Sequence, residues 1–544
     1  MSSSSKKKLR KEQESAKLTE KQRSAQKEAR KTNLYTIAFV AVMAIVLVVA
    51  ICVGVNQTIT SHGVREKKTV AMTVNDHKIS NAELNYFYMD YVNNFYSSYG
   101  SYASMLGLDA TKPLDEQVID EENGTTWADN FMESAKENAK SVYALADEAN
   151  AEKFTLSEED QAALDNNLSN MSLYAKLYGY SDVDTFLKAQ YGHGATEETY
   201  RAYSELTALA SAYQTHYSES LTYSDADLRA ADSEAYDAYT YNTYYLAASR
   251  FLEGGTTAED GTTTYTDEER AAAVAAAEEA AKSLTGEEIA TLADLDAAIA
   301  ALPVNADTTA ASSAHADTLS SAISGTYSDW VKDNARKEGD ITYVASTSTS
   351  TGEDGSETTT TDGYYVIYYI GSNDNTFPLK NVRHILVSFE GGTTDPNTNV
   401  TTYSDEEKAA AKEKAEELLN QWKSGDATED SFAALATENS TDPGSVENGG
   451  LYENIYPGQM VATFNDWCFD ESRKPGDTGI VETNYGYHVM YFVGDAQQNY
   501  RDYLITNDLR TADVNAWYSN LVDSAVTTDG DTRYIRTDLV LNRG

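Results

Sequence analysis

Cysteine is nearly absent from this chain of 544 residues. Cys52 lies in a long apolar run, and the only other cysteine, Cys468, lies in a predicted short helix. Two cysteines in such settings cannot form a disulfide framework, and we expect both to be small buried hydrophobic residues. The length predicts three or four domains, because one hydrophobic core does not grow to this size.

Basic residues are scarce beyond residue 33. Residues 1–33 contain 11 Lys/Arg against 4 Asp/Glu, whereas the remainder contains 31 against 82, a net charge of −51. A body with this charge repels nucleic acid, so we exclude a nucleic-acid partner. The acidity fits a soluble extracytoplasmic body and identifies no particular partner.

Charge is absent from Leu34 to Val55, a run of 22 residues. As a helix this run is about 33 Å long, which is enough to span a membrane. A cleaved signal peptide is the competing interpretation, but the preceding basic region is long and no A-x-A site follows. We therefore predict a cytoplasmic tail (1–33), a transmembrane helix (34–55) and an external linker (56–69), oriented by the basic flank.

Residues 70–231 have the pattern of a helical module. Val70 to Ile79 is typical of a strand or hairpin, and Ser80 begins a capping box that continues to Glu83. The following helices carry Tyr, Met and Leu on one face. These side chains either form an ordinary helical core or line a cleft that binds unfolded chains, and periodicity leaves both alternatives open.

Six motifs follow one another between Asn381 and Val493, flanked by two predicted strands that each carry one histidine. In chain order they are RHILV, ENSTDPGS, NGGL, GQMVATF, KPGDTGIVET and YGYHVMYF. Together they resemble the parvulin-type peptidyl-prolyl isomerases. The resemblance implies a four-stranded antiparallel sheet with surrounding helices and a proline pocket on one face. An anchor and a helical segment before such a domain resemble the PrsA foldase and SurA chaperone families.

A degenerate copy of this domain precedes it in the chain. Residues from Thr264 to Ala273 match those from Thr402 to Ala411 at an offset of 138, and Trp330 matches Trp467 at an offset of 137. Tyr365 occupies the position of His488, so this copy is predicted to be catalytically inactive. Its Thr/Ser-rich tract, Ser346 to Asp362, is predicted to be a solvated loop.

The predicted fold class is α+β. After one N-terminal transmembrane helix, we expect a helical chaperone-like module (70–231) and two tandem parvulin-like domains, degenerate at 232–372 and active at 378–495. The C-terminal segment 496–544 is predicted to form a helix and then a strand, Arg533 to Leu541, and to return to the helical module.

The resemblance implies the catalytic residues. His384 and His488 face each other across neighbouring strands and hydrogen-bond through their ring nitrogens, while Thr483 and Tyr485 support that pair. Asp442 supplies a negative field beside the substrate carbonyl or holds His384. The alternative for Asp442 is a simple turn residue, because a Pro-Gly pair follows it.

The resemblance also implies the substrate-binding residues. Met460 and Phe464, four residues apart on one helical face, form the proline slot. Leu451 and Phe469 complete it, and Gln459 contacts the substrate. The run from Leu451 to Gly458 is longer than the common family spacing. Since bond rotation transfers no proton or group, we expect no cofactor and no metal.

The predicted function is that of an extracytoplasmic peptidyl-prolyl isomerase and foldase, whose clients are unfolded exported polypeptides containing proline. A single anchor with the bulk of the chain outside suggests the cell membrane of a Gram-positive bacterium. The alternative is a non-catalytic holdase in which both parvulin-like modules only grip chains. A cell-surface scaffold would suit the acidic exterior but leaves the single intact set of pocket residues unexplained. The sequence leaves the oligomeric state open, a homodimer included.

Overall fold

The computed structural model describes residues 3–257, 261–351, 355–395, 398 and 400–541, with side chains described except at 14–41 and 101. Residues 1–2 of the predicted tail, 542–544 of the C-terminal segment, and the side chains of 34–41 in the predicted membrane helix lie outside the described residues. The helices are α1 Ser3–Ser61, α2 Val64–Lys68, α3 Asn81–Tyr99, α4 Trp127–Ala151, α5 Glu158–Leu177, α6 Val183–Tyr191, α7 Glu197–Ser220, α8 Asp225–Ala231, α9 Asp267–Ser283, α10 Leu292–Ala301, α11 Ser328–Val331, α12 Asp405–Ser424, α13 Glu429–Asn439, α14 Ala462–Cys468 and α15 Tyr500–Ser524. The strands are β1 Val70–Val74, β2 His77–Ser80, β3 Val118–Asp120, β4 Thr125–Thr126, β5 Ala238–Ala247, β6 Thr256–Thr257, β7 Thr263–Thr264, β8 Ser313–Leu319, β9 Ile341–Thr351, β10 Glu357–Asn373, β11 Pro378–Ser388, β12 Thr393–Thr394, β13 Thr401–Thr402, β14 Leu451–Ile455, β15 Thr478–Glu482, β16 Gly486–Asn499 and β17 Thr527–Asp529.

Helix α1 contains the predicted membrane segment. Among the described residues, Val42–Ser61 is the one helical stretch long and apolar enough to cross a membrane, and none of it is buried by protein. Cys52 is exposed there, so the expectation that it is buried is wrong. The cause is that no other described part of the chain covers this apolar helix. Cys468 is buried in α14.

The chain forms two compact units, and the first comprises Met1–Thr222 with Ala512–Gly544. Its three-stranded sheet has the order β17-β1-β2 and is antiparallel. Ser80 begins α3 because its hydroxyl accepts the Glu83 N–H at 3.2 Å, as the capping pattern predicted. The core of this unit holds fully buried aromatic side chains from α3 and α4, including Tyr86, Phe87 and Phe131.

The last residues of the chain also belong to this core, where Ile535 and Leu539 are buried. The strand predicted over Arg533 to Leu541 is wrong, since these residues form turns and irregular backbone. Their backbone N–H groups find side-chain partners instead of a neighbouring strand. Tyr534 donates to the Asn81 amide oxygen and Arg536 to that of Asn85, each at 3.2 Å.

The second unit, Tyr223–Thr511, contains two four-stranded antiparallel sheets. Their strand orders are β8-β5-β10-β9 and β14-β11-β16-β15. Each of these sheets is built from one segment of the chain. When its four strands are numbered in chain order, without the two-residue hairpin strands, both sheets have the order second, first, fourth, third. In the first of these sheets, the described residues of the Thr/Ser-rich tract, Ser346 to Asp362, lie in the hairpin of β9 and β10. The prediction of a loop there is wrong. β-branched threonines suit such a hairpin, where Thr349 and Thr359 hydroxyls hydrogen-bond across the strands at 3.1 Å.

The two faces of the second sheet bury different elements, because successive side chains of a strand point to opposite faces. Ile385 and Val489 pack with Leu418 and Phe432 from α12 and α13. On the other face, Met490 packs with Phe464 and neighbouring residues of α14. This second face carries the two histidines.

Candidate active site

The histidine pair is positioned by the register of the two central strands. In the β11–β16 ladder, His384 lies opposite Met490, and Leu386 lies opposite His488. The histidines are therefore diagonal neighbours on one face, within reach of each other. Their Nδ1 atoms are 2.9 Å apart, and both side chains are buried. The structure thus brings together the two histidines that the motifs single out.

Asp442 lies at the His384 end of this pair. The loop that carries it is fixed to β11, since the Thr441 N–H donates to the Leu386 carbonyl at 2.9 Å. Asp442 Oδ2 is 2.8 Å from His384 Nε2 and accepts hydrogen bonds from the Ser445 hydroxyl at 2.5 Å and the Tyr452 hydroxyl at 2.9 Å. The hydrogen bond from His384 is the main reason that the pKa of Asp442 lies well below its ordinary value, so the carboxyl is ionised.

Thr483 lies at the other end. Its Oγ1 is 2.9 Å from His488 Nε2 and accepts the Tyr485 N–H at 3.1 Å. Burial, reinforced by the neighbouring His384, lowers the pKa of His488 to about 3, so this ring is neutral near pH 7. Tyr485 contributes through its backbone, because its side chain is 60% exposed.

One set of tautomers satisfies every member of this chain of hydrogen bonds. The Thr483 hydroxyl donates to His488 Nε2, His488 Nδ1–H donates to His384 Nδ1, and His384 Nε2–H donates to Asp442. Each donor thus points toward the carboxylate. The arrangement holds an ionised carboxylate and a neutral imidazole in fixed positions without a free proton to transfer, which suits positioning and electrostatics better than acid–base catalysis.

An apolar slot lies over the histidines. The buried Phe464 ring stands nearly perpendicular to both imidazoles, with centroids 5.4 Å from His384 and 5.3 Å from His488. Met460 and Phe464 line a cavity of about 570 Å³. Its other lining residues are His384, Leu386, Ser388, Phe389, Tyr403, Thr441, Asp442, Pro443, Tyr452, Gln459, Val461, Asn484, Tyr485 and His488. A proline ring and its neighbours are of a size to fit such a space.

Two predicted slot residues do not line this cavity. Leu451 lies opposite Arg383 in the β11–β14 ladder, and its neighbour Tyr452 lies opposite Val382. By strand alternation Tyr452 shares the face of His384, and Leu451 lies on the other face. Phe469 packs behind the slot, with its ring 6.5 Å from Phe377.

Tyr452 and Ser445 were not predicted from the sequence, although both contact Asp442. The Tyr452 ring also stacks on His384, with centroids 5.3 Å apart. The one sequence signal for Tyr452 was that the run from Leu451 to Gly458 is longer than the common family spacing. One extra residue shifts the strand by one position, and such a shift exchanges the two faces of the sheet to which its side chains point. Ser445 follows Asp442 by three residues, a spacing common in turns of every kind, so the sequence held no specific signal for it.

A profile described as "PPIC-type PPIASE domain" matches residues 365–495, which include every residue of the histidine network and the slot. The chain contains a parvulin domain. The resemblance predicted from six motifs is thus confirmed for this segment, and the parvulin domain has the four-stranded sheet order given above.

Two curated proteins and one solved structure are similar to parts of this chain. Over 147 residues, the chain is 31% identical to foldase protein PrsA 1 of Listeria innocua, which covers 27% of this chain and 44% of the relative. Over 113 residues it is 36% identical to the chaperone SurA of Chromohalobacter salexigens, covering 20% and 21% of the two chains. The crystal structure of PrsA from Bacillus subtilis aligns with 75% of this chain and 91% of that one, at 16% identity and a TM-score of 0.26. The chain spans less than half the length of the curated Listeria and Chromohalobacter relatives.

Proposed function

We propose that this protein is a membrane-anchored peptidyl-prolyl isomerase and foldase that assists the folding of exported polypeptides. One observation carries the proposal. The ionised Asp442, the two buried histidines and the Met460–Phe464 slot converge on one cavity, within a segment that matches the PPIC-type domain. The Listeria relative is named a foldase, which supports extending the proposal from the domain to the chain.

The chemistry requires no group transfer. Rotation about an X–Pro bond must cross a barrier of ~18–20 kcal/mol, because the planar amide is stabilised by resonance. That resonance places negative charge on the carbonyl oxygen, and the twisted amide loses it. A catalyst must therefore stabilise the twisted amide more than either planar form.

The residues of the cavity can meet this requirement. Met460 and Phe464 hold the proline ring while the preceding carbonyl turns. The carboxylate of Asp442 disfavours negative charge on that carbonyl oxygen and so raises the free energy of the planar amide relative to the twisted one. The apolar walls exclude water, which otherwise stabilises the polarised planar form.

Within this proposal the remaining segments have supporting roles. Residues 34–55 form the anchor, with residues 1–33 in the cytoplasm and the bulk of the chain outside. Residues 70–231, joined by part of 496–544, form the module that holds client chains. The apolar helix Val42–Ser61 and the strand pairing of β17 with β1 support these two assignments.

Residues 232–372 are proposed to be a degenerate parvulin-like domain. Its sheet has the strand order of the parvulin domain. In the matching register Thr243 lies opposite Ile367, as His384 lies opposite Met490. Tyr365 occupies the position of His488. The copy therefore keeps the scaffold without the histidine pair.

A protease-coupled isomerase assay on the full chain in lipid nanodiscs, with a proline tetrapeptide, tests the proposal. We expect activity in the parent and its loss in His384→Ala/His488→Ala and in Met460→Ala. A folded parent without activity would contradict the isomerase function. That outcome, with suppression of client aggregation retained, would favour the alternative function of a non-catalytic holdase, which the degenerate copy supports.

A further inference from the structure

A cavity of about 960 Å³ lies between helices α5 and α7 of the first unit. Its lining extends along α7 from Tyr200 to Glu219, a distance of about 28 Å along the helix axis. A fully extended peptide of about eight residues has this length. The cavity is thus a groove long enough for a chain segment rather than a pocket for one side chain.

Apolar side chains form part of the walls of this groove. Leu164, Leu168 and Tyr203 lie in it and are less than 10% exposed. Met171 and Tyr174 continue the apolar wall along α5, and Tyr174 is 44% exposed. These side chains can cover leucine or phenylalanine residues of an extended segment.

Carboxylates dominate the charged groups of the groove, and the one basic residue of its described lining is His216. Asp90, Glu159, Asp160 and Glu219 line it, and its described lining contains no lysine or arginine. Three of these acids lie on α5 or α7, whereas Asp90 projects from α3 at the inner wall. A segment that binds here meets a negative field along its length, so cationic segments are favoured over anionic ones.

Asp90 is the distinctive member of this set. Its Oδ1 accepts the Tyr191 hydroxyl at 3.0 Å, and its Oδ2 accepts the Tyr203 hydroxyl at 2.8 Å. Both donors are neutral, and no ion pair to Asp90 is found in the described part of the chain. Each carboxylate oxygen keeps a further lone pair for an incoming N–H donor. Burial raises the pKa of Asp90, while the two hydroxyls act in the opposite direction.

We propose that this groove binds an extended segment of client polypeptide that carries apolar side chains and a lysine or arginine, whose cationic group pairs with Asp90. The inference rests on the proposed foldase function and names its client chemistry. It depends on charge complementarity, because apolar walls alone would not distinguish one unfolded segment from another. A partly buried carboxylate with only neutral partners gains most from a cation that shares its site.

Binding of three fluorescent octapeptides without proline, measured by anisotropy with the full chain in nanodiscs, tests this proposal. The peptides are rich in leucine and phenylalanine and differ at one central position, which is lysine, norleucine or glutamate. We expect the lysine peptide to bind about tenfold more tightly than the norleucine peptide, as a charge-assisted hydrogen bond predicts. The glutamate peptide should bind most weakly.

The Asp90→Asn variant should remove the preference for lysine and leave norleucine binding unchanged. Glu137→Gln, at an exposed acid of α4 outside the groove, is the matched control and should keep the tenfold difference. A folded Asp90→Asn protein that retains the preference would overturn the proposal, as would a parent that binds none of the peptides. If Asp90→Asn does not fold, the double variant Glu159→Gln/Glu219→Gln must still lower the preference for the lysine peptide over the norleucine peptide. An unchanged preference in that variant would also overturn the proposal.

The isomerase assay on the same preparation separates this inference from the proposed function. Isomerase activity without charge-dependent peptide binding overturns only the proposed role of the groove. Asp90-dependent binding without isomerase activity overturns the isomerase and leaves the groove.

Discussion

Two segments of the second unit share a scaffold and differ in the residues placed on it. Both have the same sheet order, and both begin their first long helix with a capping box, at Thr266 in one and Ser404 in the other. In both, the glutamate of that box also accepts a backbone N–H from a preceding glycine-rich turn, at Gly255 and Gly392. Local hydrogen bonds that define the fold are therefore retained where the proposed catalytic residues are not.

The difference is concentrated on one face of the sheet. Where the parvulin domain has Phe464 over two histidines, the other segment has Tyr327, whose ring lies 5.3 Å from Tyr365. Thr243 occupies the position of His384, and its hydroxyl lies 2.9 Å from His315 Nε2. The rings of Tyr245, Tyr327 and Tyr365 pack against one another at the position where the parvulin domain has its cavity. The comparison shows that the site depends on side chains the fold does not require.

The largest effect is expected from removing the aromatic side chain that forms one wall of the slot. Phe464→Ala should lower kcat/KM of the isomerase by about 10- to 100-fold, because a buried aromatic contact of roughly 1.5–3 kcal/mol is lost to the proline ring. It should also lower the free energy of unfolding by about 3–5 kcal/mol, as expected for a buried phenylalanine. The isomerase assay and denaturant unfolding measure the two effects.

Tyr327→Ala is the matched control in the other segment. Tyr327, like Phe464, is less than 10% exposed, so its replacement by alanine should destabilise its own sheet to a similar extent without changing kcat/KM. Equal losses of activity in the two variants would show that the effect comes from instability, and the slot would lose its proposed role.

Acid should destabilise the parvulin domain more than its neighbour. The pKa of His488 is lowered to about 3 by burial, whereas an unfolded histidine titrates near 6.5. The unfolded state therefore binds more protons between these values, and stability falls as the pH falls through this window, by several kcal/mol in all at roughly 1.4 kcal/mol per unit. His488→Gln, which cannot be protonated, should flatten this part of the profile measured by unfolding at fixed pH. An unchanged slope in the variant would assign the acid sensitivity to another group.

The sequence was informative where the candidate site residues lie within dense motifs. His384, His488 and Asp442 lie within dense motifs, and the structure brings all three together. It was less informative where a contact depends on the register of an edge strand, so Tyr452 was missed and Leu451 was chosen. It also misled at Arg533 to Leu541, because the side chains of Asn81 and Asn85, about 450 residues away in the chain, bind backbone groups that a strand would use.

A smaller effect is expected from the Tyr452 hydroxyl. Tyr452→Phe removes one of three hydrogen-bond donors to Asp442 Oδ2 and keeps the ring that stacks on His384. A hydrogen bond to a charged group contributes roughly 1.5–3 kcal/mol, so we expect a stability loss at the low end of this range and a fall in kcat below about tenfold, with KM unchanged. Tyr403→Phe, in the same cavity but without a described bond to Asp442, should leave kcat unchanged. Equal falls in both variants would assign the effect to the cavity rather than to the carboxylate.

The smallest expected effect comes from restoring the histidines to the degenerate segment. In a His384→Ala/His488→Ala background, Thr243→His/Tyr365→His places two imidazoles at the diagonal positions of the first sheet. We expect no isomerase activity, because Tyr327 fills the slot and the described partner of Thr243 is His315 rather than a carboxylate. Adding Tyr327→Phe should not change this result. Activity in the grafted protein would mean that a histidine pair on this sheet is sufficient, and the cavity and the ionised Asp442 would then be accessories to the reaction.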